Sequence, residues 1–82
     1  MKNMKGLREF IQDIVSGRKK MTRYGLTPNN VWTLERVYNE IVTTGNGTFF
    51  GDVEVMKPIF DKFGLSVTER SGYVCSYNVK EA

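Results

Sequence analysis

Residues 52–79 read DVEVMKPIFDKFGLSVTERSGYVCSYNV, and this stretch decides the fold. Met56, Ile59, Phe60 and Phe63 fall at helical spacing, so the opening half of the stretch has a single apolar face. Gly64 follows as a stop, since the left-handed residue after a last helical turn costs glycine least. Leu65 and Val67, then Tyr73, Cys75, Tyr77 and Val79, alternate with polar residues at strand period. A helix running into a β-hairpin is predicted. A two-residue loop of Ser71 and Gly72 would set Leu65 and Val67 against Asn78 and Ser76, polar against apolar. A three-residue loop of Arg70, Ser71 and Gly72 instead pairs Val67 with Cys75 and Leu65 with Tyr77, with Gly72 at positive φ. Burial of one face selects the second register, because a one-residue slip turns every side chain over.

Working upstream, Asp52 is placed to cap the helical piece, and Gly51 to break what precedes it. Pro58 leaves two options. Either one kinked helix spans 53–63, or a turn near 53–56 gives way to a second helix starting at Pro58, since an interior proline costs roughly 3 kcal/mol. Thr48, Phe49 and Phe50 form a short strand that joins the hairpin as a third, after a tight connection at Gly45, Asn46 and Gly47. Before it, Val31, Leu34, Val37, Tyr38, Ile41 and Val42 mark a helix over about 28–44, opened by Thr27 as N-cap and Pro28 at the first position. Trp32 lies off that stripe, on one flank with Arg36 and Asn39. Met4, Leu7, Phe10, Ile11, Ile14 and Val15 mark a first helix that Gly17 ends. The basic stretch between these helices has no apolar period and reads as a loop. Lys80, Glu81 and Ala82 read as a frayed tail. One α+β domain in the order α-α-β-α-β-β is expected, two helices and a shorter third packed on a small antiparallel sheet.

Eighty-two residues suit one small core, and 40% hydrophobic with 26% charged residues is ordinary for a soluble protein. No run is long enough to span a bilayer, and the N-terminal apolar residues are spaced helically rather than packed as in a signal peptide. A single cysteine forms no internal disulfide and fits a reducing, cytoplasmic setting. Cys75, on the strand face of Tyr73 and Tyr77, is expected to be a buried thiol. The chain lacks histidine, which removes the commonest general base and metal ligand. No P-loop or dinucleotide spacing is present in GNGTFFG. The expectation is a protein that is not an enzyme and needs neither cofactor nor metal.

Net charge is +3, unevenly distributed. Residues 1–24 hold seven bases, Lys2 among them, against two acids, while the rest holds five bases against seven acids. Arg18, Lys19, Lys20 and Arg23 with Tyr24 put cations and a ring in one short segment. Cations on phosphates release counterions, and a ring stacks on an unpaired base. The bland alternative is a solvated loop whose bases offset the end of the first helix dipole. Trp32 is similarly double: it either covers the edge of the first helix or, with Arg36 and Asn39, waits for a partner, since interfaces enrich Trp and Arg.

Over residues 27–79 the order of helix, short strand, helical region and hairpin resembles a winged helix-turn-helix, with Arg70, Ser71 and Gly72 as wing tip. The resemblance implies DNA binding through the helical region and the wing, with Lys57, Lys62 and Arg70 toward phosphate. Glu54, Asp61 and Glu69 nearby oppose it. Two functions follow as expectations. One is a small nucleic-acid-binding or regulatory module using the basic loop. The other is a protein-binding inhibitor or adaptor, of the kind phages and mobile elements encode against host proteins, acting through Trp32.

Overall fold

A computed structural model describes residues 4–82. Lys2, counted in the basic end, lies outside the described residues. The order is helix α1 (Met4–Ser16), a 3₁₀ turn (Met21–Tyr24), helix α2 (Pro28–Thr44), strand β1 (Asn46–Phe50), helix α3 (Val53–Lys62), and strands β2 (Leu65–Glu69) and β3 (Ser76–Glu81). The α+β architecture and the α-α-β-α-β-β order are as the periodicity requires.

The helix faces follow the sequence pattern. Leu7, Phe10, Ile11 and Ile14 of α1 are buried, as are Val31, Leu34, Val37 and Ile41 of α2 and Met56, Ile59 and Phe60 of α3. Val15 and Val42, expected on these stripes, are exposed instead. Each lies one residue past a buried one, about 100° round the helix axis, at the stripe's edge in the last turns. Thr27 opens α2 with a reciprocal capping box. Its Oγ1 accepts from the Asn30 amide N–H at 3.2 Å, and Asn30 Oδ1 accepts from the Thr27 amide N–H at 2.9 Å.

The sheet order is β1-β3-β2, all antiparallel. Both α2 and α3 pack on the face that carries Phe49: Gly47 lies against Val37, and the Phe49 and Phe60 ring centroids are 5.7 Å apart. A Cβ on Gly47 would sit 2.9 Å from Val37 Cγ1, so this glycine lets α2 approach the strand. Thr48, Ser66, Thr68, Asn78 and Lys80 occupy the other, polar face, as suits a sheet covered on one side.

The hairpin register differs from expectation. Val67 pairs with Val79 and Leu65 with Glu81, so the loop spans 70–75 and β3 begins only at Ser76. The shift of four residues is even, so Tyr77 and Val79 keep their predicted face. As the central strand, β3 must also match β1, where Phe49 faces Tyr77 and Gly47 faces Val79. That double pairing buries Val79 completely. Gly72 has the expected positive φ, +83°. Cys75 is not buried: it takes φ +54° in the loop, exposed, and its carbonyl accepts from the Gly51 amide at 2.8 Å. Phe50, Tyr73 and Val74 are also exposed at this end of the sheet.

Of the two options at Pro58 the single helix holds, for α3 is continuous through it. Two further expectations change. Asp52 precedes α3 with φ +50°, but its side chain does not cap. Its backbone carbonyl accepts from Val55 and Met56, and its carboxylate accepts from Asn30 Nδ2 at 2.9 Å, tying the starts of α2 and α3 together. The tail is not frayed: Lys80 and Glu81 belong to β3, and the Ala82 amide donates to the Gly64 carbonyl. No helix among the described residues is long and apolar enough to cross a membrane.

Candidate nucleic-acid interface

Gly17, at φ +86°, turns the chain out of α1, and the Lys19 amide donates back to the Asp13 carbonyl at 3.0 Å. The basic segment is therefore held against α1 instead of trailing from it. The 3₁₀ turn that follows leaves no periodicity in the sequence, because four residues are too few to show one. It is closed by Gly25 at φ +69° and by the Leu26 amide donating to Met21. Buried Leu26 anchors it, and Tyr24 meets Phe10 edge to face, centroids 5.0 Å apart.

Phe10 then links this loop to α3. Its ring lies 5.7 Å from that of Phe63. Lys19 Nζ stands 6.0 Å from the Phe10 centroid, and Lys62 Nζ stands 5.7 Å from that of Phe63. Lys19 and Lys62 thus line one depression although they are far apart in sequence, with Glu9 and Asp13 also on its wall. To one side lies a cleft of about 720 Å³ bordered by Arg18, Lys20, Arg23 and Tyr24. To the other lies an apolar cleft of about 310 Å³ between the 3₁₀ turn and α3, with Val55, Pro58 and Ile59 in its wall. Tyr24 borders both clefts, and Lys62 borders the apolar cleft and the central depression, so the three adjoin as one grooved region with shared walls.

Its charge is positive but not undiluted. Arg18 Nε lies 3.5 Å from Asp13 Oδ1, on the surface. Lys20 and Arg23 are exposed and make no ion pair among the described residues. Glu54 stands at the far rim of the apolar cleft. In the sequence Phe10, Phe63 and Pro58 read only as core or helix residues and Glu54 as an acid opposing phosphate, since nothing local marks them as neighbours of the loop.

The remaining candidates are elsewhere. Lys57 Nζ is engaged by Asp61 Oδ2 at 2.7 Å and does not line the groove. Arg70 sits in the hairpin loop, its guanidinium 4.2 Å from the Tyr73 ring centroid and Nη1 donating to Ser76 Oγ at 3.3 Å. Trp32, Arg36 and Asn39 line a separate groove along α2. Trp32 is 61% exposed, so it does not cover the edge of α1. The Arg36 guanidinium lies 5.7 Å from its ring centroid and pairs with Glu40 at 2.8 Å. Among the described residues no group of His, Cys, Asp and Glu could hold a metal ion. Tyr77 is the phenol whose environment raises it above the ordinary tyrosine range, through partial burial first and then the negative charges of Cys75, Glu69 and Glu54.

Nothing matches the chain among protein-family models, curated proteins or solved structures.

Proposed function

We propose that the protein is a small, non-enzymatic nucleic-acid-binding module whose contact surface is the groove bounded by the basic loop and α3. One observation carries this reading: Lys62 borders the same aromatic-lined groove as Lys19, with Arg18, Lys20, Arg23 and Tyr24 continuing it. Five cations around a half-buried Tyr24 ring suit phosphates and a stacked base together. Replacing Arg18, Lys19, Lys20 and Arg23 with Ala tests it by gel retardation at low salt. Binding should weaken on every sequence and lose salt dependence. Wild-type protein that retards neither DNA nor RNA at low salt would end the proposal.

The exposure of Trp32 favours a second reading, a protein-binding inhibitor or adaptor acting through α2. Trp32 with the Arg36 guanidinium 5.7 Å from its ring centroid is the residue pair that central interface positions favour. Trp32→Ala should then cost roughly 2 kcal/mol or more of partner affinity with the fold intact. Unchanged capture of a partner from nuclease-treated lysate would remove this reading.

A further inference from the structure

We infer that the apolar cleft between the 3₁₀ turn and α3 receives an unpaired base of single-stranded nucleic acid, with Lys19 and Lys62 on the phosphate and Glu54 reading an amino group on the base edge. This rests on the nucleic-acid reading and narrows it. The cleft is walled by Tyr24, Val55, Pro58, Ile59 and Phe63, surfaces that pack on the flat face of a base and cannot meet a base held inside a duplex. Its two ends carry opposite charge. Lys62 and Glu54 are eight residues apart on α3, about 12 Å along the axis at 1.5 Å per residue. That is comparable to the reach from a phosphate to the far edge of its own base. A phosphate at the lysine end therefore points the base edge at the carboxylate.

Glu54 opposes phosphate, yet a carboxylate accepts well from an exocyclic amine such as cytosine N4. Thymine presents O4 there, an acceptor facing an acceptor, and is disfavoured. An acid in a basic groove thus becomes a selector, and the occupant is a cytosine-like, amino-bearing base.

Fluorescence anisotropy with labelled oligo-dC, oligo-dT and a mixed-sequence duplex tests this on the full chain. Oligo-dC should bind about tenfold more tightly than the duplex and several-fold more tightly than oligo-dT. Glu54→Gln, on an exposed side chain, should erase the dC-over-dT preference without changing the salt dependence. Tyr24→Leu should reduce single-strand affinity, with circular dichroism verifying the fold. Equal binding of duplex and single strands, indifferent to Glu54→Gln, overturns the base pocket and leaves the broader reading standing. A single-strand preference that Glu54→Gln does not alter overturns the base-edge role. Displacement of oligo-dC by oligo-glutamate of equal charge overturns the proposal too, since the groove would then read charge alone. No binding to any of the three probes removes both readings at once.

Discussion

At Cys75 a single dihedral decides the environment. The strand alternation that would have buried the thiol begins only at Ser76, because Cys75 adopts φ +54° and gives its carbonyl to Gly51. A thiol reagent should label it at similar rates in native and denatured protein; strong native protection would put the residue back in the strand. Gly47 is the converse case, a glycine whose place is set by packing. Gly47→Ala should destabilise by about 1–3 kcal/mol, measurable by urea unfolding, because the side chain and carbonyl of Val37 and the carboxylate of Glu40 leave no room for a methyl. Nothing in GNG distinguishes that glycine from its neighbours, since the close approach comes from α2. Tyr77 supplies a pH test. Its folded value is raised, so its contribution to stability is full below pH of about 10, the unfolded value, and is lost as pH climbs through the folded one. Stability of the wild type should fall on that alkaline side, and Tyr77→Phe should flatten the fall.

At the scale of elements, helices were legible and strand register was not. A 3.6-residue stripe names the buried face of α1, α2 and α3 from local sequence alone. Alternation names only which residues share a strand face, so it leaves registers two or four apart unresolved. What fixed the register was β1, which pairs β3 from the other side and sets Val79 against Gly47 under α2. The Asn30–Asp52 bond was equally invisible, joining two helix starts 22 residues apart in the chain. Asn30, only 4% exposed, serves the Thr27 cap and Asp52 together. Asn30→Ala should therefore cost about 1–3 kcal/mol, more than an ordinary exposed cap partner, because it leaves polar groups of two helix starts without a bond. Urea unfolding that moved by only a few tenths would show the two starts to be independent.

On the scale of the whole molecule, the sequence marked a basic segment and, separately, Lys57, Lys62 and Arg70; folding sorts them. Lys62 joins the loop across Phe10 and Phe63, whereas Lys57 is held by Asp61 and Arg70 is stacked on Tyr73 in the hairpin. This separation decides between two ways of meeting nucleic acid. A winged-helix mode presents α3 and the 70–75 loop, so Lys57 and Arg70 should each contribute to the salt dependence. The groove mode needs Lys19 and Lys62. Counterion release attaches about 0.7–0.9 units of log–log salt slope to each cation that neutralises a phosphate. Anisotropy titrations over a salt series should therefore show Lys19→Ala and Lys62→Ala each lowering the slope by about that amount, while Lys57→Ala and Arg70→Ala leave it unchanged. Lys57 has a carboxylate at 2.7 Å that offsets its charge locally and would itself be brought toward a phosphate. The reverse pattern, with Lys57 and Arg70 carrying the slope, would move the contact to the hairpin end of the sheet and leave the aromatic groove without a role.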